Sequence, residues 1–356
     1  MRVLFDSRPA TTDRTGIGRY SQTMLEVAGG QLGAHWFLDG RDILHFATRV
    51  EESLALPTLL EREEIEAFQS PLFLLPDFLP CKSIVTLHDA IPSTHPELTT
   101  PQFRALWDEH AAVASTRAHA VICPTAASKN DLLGALQLDP ERVHVVPETP
   151  HPVFLTAPSP TEVLHVRRRY GVEGAAFILV IGALVARKAP GVILEALRCR
   201  RDLPPAVFVG PPGDVDLHDE AERRGVSDRV HHLGVLPDSE LVALLSAAEL
   251  LAYPTFAEGF GLPVLEAFAA GTPVVASRVP AVAEVAGDAA LLTPPGDAEA
   301  FGRAAARVIS ERSLAADLRS RGRARLDVYS TRAVREGLVQ VYDHIEAATT
   351  AGRPCA

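Results

Sequence analysis

Residues 258–277 read EGFGLPVLEAFAAGTPVVAS, and this stretch decides the fold prediction more than any other part of the chain. Gly259 and Gly261 form a turn, and Pro263 follows as a favourable first helical residue because its φ is fixed and it has no amide hydrogen to lose. A short apolar helix then runs to Gly271, the expected left-handed cap, before a buried strand. This order of loop, helix and strand is typical of a parallel α/β sheet.

Two carboxylates, Glu258 and Glu266, flank the point where the loop becomes a helix. A helix N-terminus carries backbone N–H groups and a partial positive charge, which suit phosphate. The two glutamates could also do no more than cap a loop and stabilise the helix dipole. The stretch therefore predicts either simple helix capping or a site for a ligand with an anionic group and hydroxyls.

Strands and helices alternate on both sides of this stretch, which predicts two doubly wound α/β domains with parallel sheets. We place the boundary in the proline-rich segment 147–160. The first domain then covers 1–155, the second covers 160–330, and a final helix at about 331–348 packs back on the first. In such folds ligands bind at the carboxyl ends of the strands, so we expect an interdomain cleft between two facing sheets.

The predicted strands are short and apolar. Those of the first domain are 2–6, 35–38, 43–46, 83–87, 120–123 and 143–146, and those of the second are 177–181, 206–209, 230–233, 250–253, 274–276 and 290–292.

Composition excludes several classes of protein. The chain has 356 residues, of which 47% are hydrophobic and 22% charged, with a net charge of −11. An acidic chain without a basic stripe is a poor nucleic-acid ligand, and peripheral membrane contact has no support in the sequence. We find no apolar run of the ~20 residues that a membrane span needs, no leader sequence and no C-x-x-C pair among four cysteines. These features predict a cytoplasmic globular protein.

A pair of cations, Arg187 and Lys188, follows the first strand of the second domain in the segment GALVARK. Two adjacent cations are often simply exposed to solvent and bind no ligand. Arginine nevertheless offers a planar fork for phosphate, and lysine a compact charge, so the pair is also a candidate anion grip.

His88 and Asp89 end a buried strand of the first domain, in the segment TLHDAIP at 86–92. In one interpretation His88 is a structural histidine and Asp89 caps the next turn. In the other, both lie at the carboxyl edge of the sheet and face a ligand.

Two further motifs have competing interpretations. The segment TGIGRY at 15–20 is a glycine loop entering a helix from about residue 18, and with Asp39 it resembles part of a dinucleotide fingerprint. The loop before it is too long for that fingerprint, and its third glycine is replaced by Ser21. Asp214 and Asp216 form a D-x-D sequence, which we interpret as a helix N-cap with a first-turn acid rather than a metal site.

Taken together, these motifs resemble the retaining glycosyltransferases of family 4, which have the GT-B fold of two facing Rossmann-like domains. The resemblance implies that Arg187 and Lys188 hold a diphosphate, that Glu266 binds the ribose, and that Glu258 contacts the donor sugar. It implies sugar contacts from His88 and Asp89 on the first domain. It also implies backbone contacts to the donor from the glycine-rich turn formed by Gly259, Phe260, Gly261 and Leu262. A second loop, which contains Gly16 and Gly18, is implied to close over the sugar and the acceptor.

The resemblance implies a retaining transfer of a hexose, mannose in type, from a GDP- or UDP-sugar to a hydroxyl of a glycan, lipid-linked or small-molecule acceptor. Neither a metal nor another cofactor is expected. An epimerase or hydrolase acting on nucleotide sugars, or a non-catalytic nucleotide-sugar-binding protein, remains as an alternative. The chain departs from the family at Glu148, which follows Val-Val-Pro where small or amide residues are usual, and its role is open.

Overall fold

A computed structural model describes residues 1–6, 16–31, 36–37 and 49–350, with side chains described over 1–6, 16–25 and 56–347. The chain forms two compact units. One comprises Met1–Thr149 together with Tyr329–Ala356, and the other comprises Pro150–Val328.

The first unit contains a six-stranded parallel sheet of order β2-β1-β3-β4-β5-β6. Its strands are β1 Val3–Phe5, β2 Trp36–Phe37, β3 Ala67–Ser70, β4 Lys82–Thr86, β5 Ala120–Cys123 and β6 Val143–Val145. Its helices are α1 Gly16–Gln31, α2 Arg49–Arg62, α3 Ile91–Thr94, α4 Pro101–Arg117 and α5 Ala126–Ala135, and the terminal helix Thr331–Thr350 also belongs to it.

The second unit contains a six-stranded parallel sheet of order β12-β11-β10-β7-β8-β9. Its strands are β7 Ile178–Ile181, β8 Ala206–Val209, β9 Val230–His232, β10 Leu250–Tyr253, β11 Val274–Ser277 and β12 Ala290–Thr293. Its helices are α6 Pro160–Arg169, α7 Pro190–Cys199, α8 Leu217–Arg223, α9 Asp238–Ala247, α10 Leu262–Ala269, α11 Pro280–Ala286, α12 Ala298–Ser310 and α13 Arg312–Arg325, and the terminal helix of the first unit is α14.

The α/β fold class with parallel sheets is confirmed. Each predicted strand from residue 83 onward lies within one residue of an observed one, because short apolar runs bounded by glycine, proline or a helix start are strong local signals.

The region between residues 30 and 80 differs from the prediction. Two elements here were not predicted: α2, which contains Pro57, and β3, whose last residues are the polar Gln69 and Ser70. Gln69 and Ser70 are nevertheless buried, because β3 lies between β1 and β4 within the sheet. The predicted strand 43–46 and Asp39 lie outside the described residues.

The predicted linker is structured and belongs to the second unit from Pro150 onward. It forms a 3-10 turn over Pro152–Leu155, in which Phe154 is 1% exposed, and a capping box opens α6 at Ser159 and Glu162. Pro152 and Pro160 start helical turns here, since proline is tolerated where no amide partner is needed. The N-terminal segment of the first unit ends at Thr149 and the second unit begins at Pro150, whereas the predicted first domain ends at 155 and the predicted second begins at 160.

The core of the first unit includes the terminal helix. Val334, Leu338, Val341 and Ile345 of α14 recur at helical spacing and pack with buried residues of the sheet strands β1, β3, β4 and β5. In the second unit, α7 and α12 pack on the sheet in the same way, around residues such as Leu197 and Phe301.

Candidate functional site

The order of the second sheet reverses next to β7, which pairs with β8 on one side and β10 on the other. Open parallel sheets bind ligands outside the carboxyl ends of their strands at this kind of switch point. Arg187 and Lys188 follow β7, and Glu258 follows β10, so the topology brings together residues that are about seventy positions apart in sequence.

One carboxylate oxygen connects these residues. Glu258 Oε1 lies 2.8 Å from an Arg187 guanidinium nitrogen and 2.6 Å from Lys188 Nζ, and it accepts a hydrogen bond from Thr255 Oγ1 at 3.0 Å. The glutamate side chain is only 10% exposed, while those of Arg187 and Lys188 are 26% and 18% exposed. We call Arg187, Lys188 and Glu258 the charge cluster; its net charge is +1.

The charges of the cluster determine the protonation of Glu258. Burial alone would raise the pKa of this carboxyl, but Arg187 and Lys188 outweigh burial, and the hydrogen bond from Thr255 adds to their effect, so that the pKa falls to about 2. The carboxylate therefore stabilises the fold fully above the ordinary glutamate pKa of ~4.3, and this contribution is lost as the pH falls toward 2.

Sequence reasoning missed Tyr253 and Thr255, which position the cluster from the end of β10. Lys188 Nζ donates to the hydroxyl of Tyr253 at 2.8 Å and lies 4.8 Å from the centre of its ring. Burial, reinforced by the charge of Glu258, raises the pKa of Tyr253 well above its usual value, so the phenol keeps its proton. Thr255 Oγ1 also lies 3.1 Å from the Arg187 carbonyl oxygen. The sequence signal that could have identified Tyr253 and Thr255 was their position at a strand end, just before Glu258.

The turn that carries Arg187 and Lys188 is strained, and a carboxylate that is distant in sequence stabilises it. Ala189 has φ 45° and ψ 47°, a left-handed conformation that non-glycine residues rarely adopt. Asp214 accepts the amide of Ala186 at 2.9 Å, whereas Asp216 caps α8 by accepting the amides of His218 and Asp219. The D-x-D prediction is thus corrected in one respect, since the second aspartate rather than the first is the helix cap.

The glycine-rich turn leads directly into α10. Gly261, with φ 112°, is the residue before the helix, which begins at Leu262 rather than at Pro263. Gly259, Phe260, Gly261 and Leu262 are all buried. Glu266 lies in the fifth position of α10 and has no exposed surface, so contact with a ribose requires neighbouring groups to move.

In the first unit, His88 follows β4 and is held from two sides. Its Nδ1 lies 3.2 Å from Glu148 Oε1, and its Nε2 lies 3.0 Å from the Pro71 carbonyl oxygen. Asp89 accepts the amide of Ile91 at 2.9 Å, which is the capping role considered above, so the structure shows a structural contact for it.

Gly16 and Gly18 do not form the predicted loop. The helix α1 begins at Gly16, so both glycines are helical, Gly16 exposed and Gly18 buried. The dinucleotide fingerprint needs its glycines in a tight turn before the helix, and this arrangement does not supply them.

A cavity of about 580 Å³ in the second unit borders the strained turn at Ala186 and Ala189. None of the charge cluster lines it. Its charged lining consists of Glu195, Asp214, Asp216, Glu220 and Arg223, which is a poor environment for an anion.

Comparison with known proteins agrees with this geometry. Residues 166–325 match the family model of glycosyl transferases group 1. The chain is 28% identical over 341 residues to O-antigen chain mannosyltransferase B of Escherichia coli, covering 85% of this chain and 88% of that protein. It is 31% identical over 226 residues to an MMP alpha-(1->4)-mannosyltransferase of Mycolicibacterium hassiacum, covering 62% of this chain but only 52% of that protein.

Solved structures show the same fold at low sequence identity. HepE of Anabaena, solved with UDP-glucose, superimposes with a TM-score of 0.76 at 20% identity, covering 98% of this chain and 100% of that one. Sucrose-phosphate synthase of Thermosynechococcus elongatus superimposes with a TM-score of 0.78 at 18% identity, with the same coverage.

The chain has the GT-B fold of glycosyltransferases, and the family match supports a glycosyltransferase. The part of the chain that matches the glycosyl transferases group 1, residues 166–325, carries all three residues of the charge cluster. Over the part of the chain that the structure describes, no helix is long and apolar enough to cross a membrane.

Proposed function

We propose that this protein is a retaining hexosyltransferase that moves a mannose-type sugar from a nucleoside-diphosphate donor to a hydroxyl of a glycan, lipid-linked or small-molecule acceptor. The observation that carries the proposal is the charge cluster, in which Arg187, Lys188 and Glu258 share one carboxylate oxygen at the switch point of the second sheet. Two cations and one carboxylate suit a ligand that combines phosphates with hydroxyl groups.

In this proposal the diphosphate binds Arg187 and Lys188, and the sugar hydroxyls bind Glu258. The bond from sugar to phosphate breaks in the transfer, so negative charge accumulates on the leaving diphosphate. Fixed cations stabilise this charge more in the transition state than in the ground state, and they need no metal to do so. His88 and Asp89 would contact the transferred sugar, and Glu266 the ribose.

The names of two relatives support mannose as the sugar, since both are mannosyltransferases. HepE was solved with UDP-glucose, which supports a nucleotide-sugar donor while leaving the base open between uracil and guanine. Retention would follow from attack on the same face of the sugar, with a leaving phosphate oxygen taking the acceptor proton.

The donor is identified by binding. We expect GDP-mannose or UDP-glucose, added separately to the wild-type protein, to raise its melting temperature, because a ligand that binds only the folded state stabilises it. Comparing the rise in melting temperature caused by GDP with that caused by UDP then identifies the base. A set of GDP-, UDP- and ADP-sugars with no stabilising member contradicts the proposal.

The charge cluster is tested by substitution. We expect Arg187→Ala and Lys188→Ala each to lower kcat for transfer by about 10²-fold or more, the effect of removing one charge-stabilising group. Arg168→Ala is the matched control, because Arg168 is 62% exposed in the same unit and, in the described structure, its ion pair is with a surface glutamate, Glu173. If the cluster variants and the control behave alike, the diphosphate assignment is wrong.

Product analysis separates transfer from its alternatives. Transfer forms a glycoside only when acceptor is present, and nuclear magnetic resonance of that glycoside reports whether the anomeric configuration is retained. A hydrolase releases free sugar without acceptor, an epimerase returns an altered nucleotide sugar, and a binding protein consumes no donor in a single turnover.

A further inference from the structure

Both ring nitrogens of His88 face groups that accept hydrogen bonds. Nε2 lies 3.0 Å from the carbonyl oxygen of Pro71, and Nδ1 lies 3.2 Å from the carboxylate of Glu148. A carbonyl oxygen cannot donate, so Nε2 carries a hydrogen. A neutral imidazole has no second hydrogen for Nδ1, and only the imidazolium donates from both nitrogens.

The surroundings hold the ring in this position. Glu148 follows β6 and is 7% exposed, and Pro71 follows β3, so segments that follow three strands of one sheet, β3, β4 and β6, meet at the ring. Tyr20 of α1 contacts it edge to face, with ring centres 4.7 Å apart and an interplanar angle of 87°. The His88 side chain is 18% exposed.

The charged and titratable groups that face His88 in the described structure are Glu148, Asp89 and Tyr20. Burial would lower the pKa of His88, but the hydrogen bond and charge of Glu148 outweigh it, with smaller contributions from the Pro71 carbonyl and Asp89, so the pKa is raised. Burial also raises the pKa of Tyr20, which therefore stays neutral.

We propose that Glu148 is a positioning residue that keeps His88 doubly protonated and fixes its ring, so that His88 meets the substrate as a fixed positive charge and not as a base. The nature of the substrate rests on the function proposed above, whereas the protonation of His88 does not. A doubly protonated His88 cannot take the acceptor proton, which is consistent with a leaving phosphate oxygen as the base.

The first test needs no substrate. We expect ring-nitrogen resonances of His88, identified by their loss in His88→Asn, to show an imidazolium that loses its proton above the ordinary histidine value of ~6.5. In Glu148→Gln the midpoint should fall by about one pH unit, a tenfold change in the protonation equilibrium. A wild-type midpoint at or below the ordinary value, or no change in Glu148→Gln, overturns the proposal.

Glu97 supplies the matched control. It pairs with His95 at 3.3 Å in the same unit, but the two side chains are 66% and 49% exposed. Glu97→Gln removes the same kind of contact at the surface and should leave both the His88 titration and sugar transfer unchanged. If the midpoint of the His88 titration also fell in Glu97→Gln, the fall in Glu148→Gln could not be attributed to the contact between Glu148 and His88.

The second test is the pH dependence of transfer. Activity should decline with rising pH as His88 loses its proton, and this limb should move to lower pH in Glu148→Gln, with Glu148→Asp restoring part of the shift. If Glu148 has a purely structural role, Glu148→Gln lowers activity but the decline occurs at the same pH as in the wild type. That result would overturn the proposed role of the Glu148–His88 pair in transfer. If the wild-type titration is as expected but no donor supports transfer, the proposed function fails and the His88 assignment stands.

Discussion

Glu258 shows how much the role of one side chain depends on its neighbours. From the sequence it is a carboxylate at a turn, expected to contact sugar hydroxyls, while the cations are expected to contact phosphate. In the structure the same carboxylate already neutralises one of the two cationic charges. In the proposed function, a donor diphosphate would therefore compete with Glu258 for Arg187 and Lys188, or would bind the nitrogen atoms that the carboxylate leaves accessible.

Glu258→Gln separates these effects. We expect the affinity for UDP or GDP alone, whichever base the protein binds, to rise several-fold, because the cluster gains one unit of net positive charge. Sugar transfer should fall by about 10²-fold, because a charged contact to the sugar is lost. Isothermal titration gives the first quantity, and steady-state kinetics gives the second.

Glu240→Gln is the control for this variant. Glu240 is also shielded, at 15% exposed, and also pairs with an arginine, Arg169 at 2.6 Å, but it lies on α9. It should change neither nucleotide affinity nor transfer. Weaker nucleotide binding in Glu258→Gln would show that the carboxylate organises the cations and does not compete with phosphate.

At the scale of elements, the loop after β7 fits closely against the loop after β8. A Cβ atom at Gly210 would lie 2.0 Å from the carbonyl oxygen of Gly182, and φ at Gly210 is +151°. The amide of Gly182 meanwhile donates to Val209, at the end of β8. The contact is backbone on backbone, so no side-chain movement can relieve a larger residue.

We expect Gly210→Ala to cost about 3 kcal/mol of folding free energy or more, from backbone strain and the steric clash together. Urea unfolding of the purified variant measures this. Gly134→Ala, in the exposed part of α5 with no atom near its added Cβ, should instead stabilise by ~0.5–1 kcal/mol. Equal effects of the two substitutions would contradict the close fit of the loops.

At the scale of the whole molecule, the chain crosses from the first unit to the second at residue 150 and returns at residue 329. The returning helix α14 completes the core of the first unit. Tyr342 donates to Gln69 Oε1 at 2.7 Å, and Lys82 Nζ donates to the Ile345 carbonyl at 2.6 Å. The first unit therefore depends on residues from both ends of the sequence.

Matched core substitutions test this division. Leu338→Ala in α14 and Leu244→Ala in α9 each remove a fully buried leucine, at a cost of ~2–5 kcal/mol. Both tryptophans, Trp36 and Trp107, belong to the first unit. We expect Leu338→Ala to lower the unfolding midpoint detected by tryptophan fluorescence, and Leu244→Ala to lower only the midpoint detected by circular dichroism. Equal shifts of both probes by both variants would mean that the units unfold as one.

The sequence by itself determined the fold class and most strands and helices from residue 83 onward. Apolar runs, glycines and prolines act over a few residues, and their effect does not depend on the rest of the chain. The same local signals identified Arg187, Lys188, Glu258 and His88 as candidates. They failed for β3, whose polar residues are buried inside the sheet, where Gln69 also accepts a hydrogen bond from Tyr342 of α14.

Only the tertiary structure decided which of these residues meet. Glu258 and Arg187 are 71 positions apart, and His88 and Glu148 are 60 apart. Such pairs form because parallel strands place their carboxyl ends at one edge of a sheet, and the order of the strands selects which loops become neighbours. The protonation of Glu258 and His88 depends on those neighbours, since a pKa responds to charge and burial in space rather than to position in the sequence.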